Sequence, residues 1–239
     1  MPNIHRLLVR LATVMLPLFS AIASVPAFEG GDLERLWQTG KCLGCDLRGI
    51  DLAKISLQRS NIGAGGLGVL DLSGADLSGS QLRQAQLSRA ILRRTDLSGA
   101  VLDEADLRRA DLREADLAGA SLVLVNLSAA RLDDANLTGA AMRQGRLDGT
   151  RLNGAVLAGV DMTRAVLSRA SLNSADLTDA RLPGAFLSDT DLYGAKLDRT
   201  DLSDADLSTA SGLTQAQLDH ACGNQKTRLP PWLTVQACD

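Results

Sequence analysis

An apolar residue returns at every fifth position along most of this chain. Leu97, Leu102, Leu107, Leu112 and Leu117 are consecutive members of the series. The register can be followed from Leu47 to Leu207 without an insertion, and thirty of its 33 positions are Leu, the others being Ile62, Met142 and Met162. Two residues before each of these the chain is small. Nineteen of the 33 sites there are Ala, among them Ala105, Ala110 and Ala115, and only Ile50, Ile55 and Leu70 are bulky. The residue just before the Leu is Asp or Asn in 16 cases, and the two after it are mostly Ser, Thr, Gly, Arg or Asp.

A period of five fits neither regular element. In a helix, five residues at about 100° each advance about 140° past a full turn, so the leucines would spread around the circumference. In a strand they would alternate between faces, because five is odd. A chain that turns one corner per repeat, however, points every leucine at one axis. Four corners make a square coil of about twenty residues, and equivalent residues stack about 4.8 Å apart in successive coils. The small residue is then the second inward position, held small by the four leucines that fill each layer. The pattern predicts an all-β solenoid over 46–209, with about eight coils.

The repeats ADLRR (105–109), ADLRE (110–114) and ADLAG (115–119) resemble those of the pentapeptide repeat proteins. The resemblance implies that family's fold, a right-handed quadrilateral β-helix. It implies little about activity, because the residues that define the motif face the core. The flanks KCLGCDL (41–47) and ACGNQKTRLPPWL (221–233) are also similar to those of exported members. Some members resemble B-form DNA in shape and charge and bind DNA gyrase, and others pair at their C-terminal ends; the resemblance admits both here.

The ends leave the period. Residues 1–27 carry His5, Arg6 and Arg10, then the apolar run LATVMLPLFSAIA (11–23) and small-residue sites ending at Ala23 and Ala27. The run is shorter than the roughly twenty residues that span a bilayer, so it reads as a secretory signal peptide, and the mature protein is expected to be periplasmic or otherwise exported, without a membrane span. Residues 28–45 form an N-terminal cap, in which DLERLWQTGK (32–41) predicts a short helix with Leu33, Leu36 and Trp37 toward the first coil. Residues 210–239 form a C-terminal cap. There Thr214 and Gln217 make a capping-box signature for a helix from about Gln215 to Cys222, and Pro230 and Pro231 force an extended tail anchored by Trp232 and Leu233.

Cys42 and Cys45 precede the array and Cys222 and Cys238 follow it. The coils would separate the two ends by roughly 40 Å at strand spacing, whereas disulfide-linked Cα atoms lie within about 7 Å. In an oxidising compartment the pairings left are Cys42–Cys45 and Cys222–Cys238; Cys45, at an inward position, has the alternative of remaining a buried thiol.

Catalytic chemistry lacks essential groups. Beyond the signal peptide His220 is the only histidine. The C-x-x-C spacing of Cys42 and Cys45 has no second pair nearby and no βαβ pattern around it to make a metal or redox site. The abundant aspartates recur with the repeat and point outward. GAGGLG (63–68) matches a dinucleotide loop in letters, but the five-residue register runs through it. No cofactor and no enzyme activity are expected. The array holds 23 acidic and 19 basic residues from Asp46 to Ser208, a net of −4, far from the continuous acidic face that a duplex mimic requires. Aromatic content of 3% also disfavours nucleic-acid stacking. Asp76, Asp96, Asp116, Asn136 and Asp176 form a ladder at twenty-residue spacing on one face, and the next face in register carries Arg93, Arg113, Arg131 and Arg151. The arginines are the candidate interaction face. The sequence thus points to a non-catalytic, exported solenoid whose patterned surface is structural or binds a protein or envelope component. Two alternatives come from the resemblance, namely inhibition or protection of gyrase and a homodimer through the C-terminal end.

Overall fold

The computed structural model of the chain describes residues 31, 32, 35, 36, 42, 43, 45, 47 and 70–238. The signal segment, GAGGLG and most of the first repeats lie outside the described residues. From residue 70 the backbone obeys one rule. Each residue that precedes an inward Leu bridges, in parallel, the residue twenty positions on, beginning with Asp71 to Ile91 and running to Asp191 with Ser211. Four such residues occur per twenty, so the chain returns over itself after four repeats.

One repeat shows how. Ala105 and Leu107 are fully buried, and Asp106 between them bridges Gln86 on one side and Asn126 on the other. Asp106 N–H donates to the Ala85 carbonyl at 2.9 Å, Leu107 N–H donates to that of Asn126 at 2.8 Å, and Arg109 N–H donates to that of Ser128 at 3.0 Å. The corner closes when Ala110 N–H donates to the Leu107 carbonyl at 3.0 Å, with Arg109 at φ 58°. Neighbouring coils therefore satisfy the main chain that each corner would otherwise leave unpaired. Each side is a single bridged residue rather than a strand, because a turn recurs before an extended run can form.

The core is a column of stacked layers. Leu97, Leu102, Leu107, Leu112 and Leu117 are fully buried, and Ala105, Ala110 and Ala115 are buried beside them. Each Leu contributes roughly 1.5–3 kcal/mol of gross burial energy, and as in other solenoids each layer contacts only its neighbours.

The start of the stack differs from the unbroken register. Leu47 N–H donates to the carbonyl of Asp76 and Cys42 N–H to that of Asp71, both at 2.8 Å. In the array the same bond joins residues nineteen apart (Leu107 to Asn126), whereas here the separation is 29. The chain from Leu47 to Leu70 is ten residues longer than one coil requires. Ile50 and Ile55, the bulky exceptions at the small position, lie outside the described residues.

The C-terminal cap also departs in detail. The helix α1 is Gln215–Leu218, shorter than expected. Its capping box is complete, with the Thr214 hydroxyl accepting from Gln217 N–H and the Gln217 side chain accepting from Thr214 N–H. Leu218 fills the core, after which Ala221 and Cys222 return to the coil. Two short strands follow, β1 (Cys222–Gly223) and β2 (Gln236–Ala237), paired in parallel. The tail between them is not extended. Leu233 N–H donates to the Pro230 carbonyl at 3.0 Å, and this turn buries Pro230 and swings Trp232 outward, leaving it 77% exposed. Leu229, Leu233 and Val235 pack on the core in its place. At the other end Gly31, Asp32, Arg35 and Leu36 are helical and Leu36 is fully buried; the side chains of Leu33 and Trp37 lie outside the described residues. Among the described residues no helix is long and apolar enough to cross a membrane.

Candidate interaction surface

The outward positions are built by the same geometry. A residue before the Leu points out from the flat of a side, and the two after it occupy the corner. Arg93 and Arg113 fall after their leucines and Arg131 and Arg151 before theirs, so the four form two adjacent columns on one side of the coil.

They are brought together, but they are not free. Asp111 lies between Arg93 and Arg113, accepting from Arg93 Nε at 2.7 Å and from both Nε and Nη2 of Arg113 at 2.7 and 2.8 Å. Asp133 has the same role in the next coil. Its Oδ1 accepts from Arg151 Nε at 3.3 Å and from Asn153 Nδ2 at 2.9 Å, and its Oδ2 lies 3.8 Å from Arg131 Nε. Asn153 in turn accepts from the Ser171 hydroxyl at 2.5 Å. The network alternates in charge over successive coils, and the Arg93–Asp111, Arg151–Asp133 and Ser171–Asn153 contacts each join one coil to the next. Burial pushes the Asp111 carboxyl up, but the hydrogen bonds from Arg113 and Arg93 outweigh it and hold the group at about 2.

The acidic ladder is likewise held. Ser78 donates to Asp76 through both N–H and hydroxyl, at 3.0 and 2.7 Å; Ser98 N–H donates to Asp96 at 2.9 Å, and Ala118 N–H and Asn136 Nδ2 donate to Asp116 at 3.0 and 2.9 Å. Short-range bonds of this kind offset the repulsion of stacked carboxylates. Nor do all aspartates face water, as Asp103, Asp106 and Asp133 are only 9% exposed. Asp103 is held by Arg83 at 2.8 Å and the Ser121 hydroxyl at 2.5 Å.

Cations that sequence reasoning passes over are the ones left available. Among the described residues Arg89, Arg109, Arg164, Arg169 and Arg181 are exposed and have no ion-pair partner. The first four occupy the corner position with positive φ, between 58° and 63°. Arg89, Arg109 and Arg169 share one column, at multiples of twenty residues. The signal is present in the sequence for Arg89 and Arg109, whose column continues with Ala129 and Gly149; Arg169 has Asp189 one coil on but makes no ion pair with it.

The cysteines sit at the two ends. Cys42 and Cys45 are buried and joined, with Cα atoms 5.4 Å apart, and Cys222 is joined to Cys238 with Cα atoms 4.8 Å apart.

A solenoid of stacked five-residue units with an inward Leu is a defined class of protein, and the comparisons place the chain within it. The sequence model of the pentapeptide repeat family matches in overlapping copies that together run from 71 to 208, more than half the chain. The chain belongs to the pentapeptide repeat family. It is similar to HetL of Nostoc sp. strain PCC 7120, a protein involved in heterocyst differentiation regulation, at 30% identity over 82% of this chain and 97% of HetL, with a TM-score of 0.46. It is also similar to Rfr23 of Cyanothece 51142, at 27% identity over 69% of this chain and 96% of that one, with a TM-score of 0.39. QnrB1, a plasmid-mediated fluoroquinolone resistance protein, matches at 18% identity over 80% of this chain and 88% of its own, with a TM-score of 0.47. No curated protein matches the chain.

Proposed function

We propose that this chain is a non-catalytic, exported pentapeptide repeat solenoid, right-handed and of about seven to eight coils, that serves as a rigid macromolecule-binding surface. The observation that supports this reading is the division of its arginines into two sets. Arg93, Arg113, Arg131 and Arg151 are engaged by Asp111 and Asp133, Arg93 and Arg151 from a neighbouring coil and Arg113 and Arg131 from the same one. Arg89, Arg109 and Arg169 project from one column and make no ion pair. Side chains on a frame this regular are presented at fixed separations and lose little freedom on binding, which favours affinity through preorganisation. The partner is an anionic protein or envelope component. A crosslinking capture from the exported fraction tests the assignment. Neutralising Arg89, Arg109 and Arg169 together to Gln should weaken capture at least tenfold with no change in melting temperature. Neutralising Arg93, Arg113, Arg131 and Arg151 should instead lower the melting temperature. Undiminished capture by the first variant would refute the reading.

A further inference from the structure

Asp201, Cys222 and Cys238 lie one above another where the stack ends. Asp201 bridges Cys222 in parallel, and β1, which begins at Cys222, pairs with β2, which ends one residue before Cys238. The carboxylate and the two sulfurs all lie within 4.8 Å of one another, and each residue is half-buried. Asp201 Oδ1 is 3.3 Å from Cys238 Sγ, and Ser203 Oγ is 3.5 Å from the same sulfur. A disulfide sulfur has no proton to give, so a carboxylate aimed at it gains no hydrogen bond. The same oxygen beside a thiol, or beside a cation held by two thiolates, is well placed.

We propose that these three residues form a metal site when the disulfide is open. The ligands are the Cys222 and Cys238 thiolates and one Asp201 oxygen, with solvent as the fourth, for a thiophilic divalent cation of the Zn2+ class. Sulfur ligands in a tetrahedral set select that class over Mg2+ or Ca2+. At a metal–sulfur distance of about 2.3 Å, tetrahedral sulfurs stand roughly 3.8 Å apart, so opening the bond must separate them by about 2 Å. Cys238 follows β2, a two-residue strand whose residues are both exposed, so the displacement falls on the surface of the cap. A dithiol reductant supplies two electrons and two protons to the disulfide and is itself oxidised to a disulfide. The two new thiols then release their protons to solvent as the cation binds. The cap thus has two closures on one pair of sulfurs, covalent when oxidised and coordinative when reduced.

Cobalt(II) titration followed by absorption tests this, in protein carrying Cys42→Ser and Cys45→Ser so that only one thiol pair remains. Reduced protein should bind one ion per chain with thiolate-to-cobalt charge-transfer absorption, Zn2+ should displace it, and oxidised protein should bind none. Asp201→Asn should weaken binding at least tenfold; Asn keeps the acceptor for the Ser203 N–H, as Asn136 does for Thr138 N–H. Hydrogen exchange separates binding from unfolding, because Zn2+ should restore slow exchange to the β2 amides of the reduced protein. No charge-transfer band after reduction, or an affinity that Asp201→Asn leaves unchanged, would overturn the proposal.

Discussion

The Thr150 hydroxyl donates to the carbonyl of Leu127 at 2.9 Å, reaching 23 residues back across the core into the previous coil. Thr95, Thr190 and Thr200 make the same bond to Leu72, Leu167 and Leu177. Threonine therefore enters the small inward position without leaving its hydroxyl unpaired. Ser80 occupies an equivalent position, fully buried, and its hydroxyl has no partner. Thr150→Val should cost about 1 kcal/mol for the lost bond, whereas Ser80→Ala should leave stability unchanged or raise it by up to about 1 kcal/mol. Urea melts of the two variants decide it, and equal losses would show that the hydroxyl bond contributes nothing.

Leu107 is fully buried as one of the leucines of its layer, whereas Arg109, two residues on, stands in solvent. Leu107→Ala should cost about 2–5 kcal/mol, because a single layer can collapse only partly onto its neighbours. Arg109→Ala should cost under about 0.5 kcal/mol. Differential scanning calorimetry on both would expose a wrong register as similar losses.

Two glycines separate backbone strain from steric clash. Gly119 has φ 64° and a Cβ there would meet nothing within 4 Å. Gly119→Ala should therefore cost only the left-handed penalty, about 1 kcal/mol. Gly212, at φ 70°, would press a Cβ to 2.5 Å from the Tyr193 nitrogen and 2.7 Å from its Cα. Backbone cannot yield as a side-chain tip can, so Gly212→Ala should cost at least ~2 kcal/mol more. Chemical denaturation that ranked the two equally would remove the clash from the account.

Acid should loosen the arginine–aspartate network within a defined window. Asp111, at about 2 in the folded chain, lies below the unfolded value of about 3.9. A depressed carboxylate stabilises the fold fully above the unfolded value, and that contribution disappears as pH falls through the folded one. Asp106, Asp161, Asp176 and Asp206 are shifted the same way, by hydrogen bonds from Arg108, from Thr163, from Thr178 and from Ser208. For Asp111 the full shift corresponds to roughly 2–3 kcal/mol, discounted to about 1 kcal/mol because the partner guanidiniums are substantially exposed. Urea midpoints from pH 5 to 2 should fall more steeply for the wild type than for Arg113→Gln. Parallel curves would mean that the pair is solvated out of significance.

The core is legible in the sequence because it is written locally: a Leu with a small residue two before it, as in Ala105 and Leu107, defines the inward side without reference to any other coil. The family follows from the same letters. The surface is less legible because its contacts combine two spacings. Arg93 reaches Asp111 eighteen residues on, and Arg113 reaches the same carboxylate two residues back; columns drawn only at twenty hide this. The surplus chain after Leu47 is invisible for a different reason. A surplus of ten residues is two whole repeats, so every later leucine stays in phase. Trp232 is misplaced when Pro230 and Pro231 are treated as stiffeners, because the turn they start determines which way the next side chain points.

A period of five within a coil of twenty gives the chain two independent clocks. Gaining or losing twenty residues preserves both what is inside and what lies above what. A change of five keeps every leucine inward yet rotates all that follows by a quarter turn, so that each outward side chain meets a new neighbour. Hereditary change in such a protein can therefore reshuffle its exterior wholesale without risking its interior. The exit from the stack shows the opposite case: Asp201 bridges Cys222, 21 residues on, and Asp206 bridges Arg228, 22 on. Slips of one and two residues break the beat for good, and they mark where the rod ends.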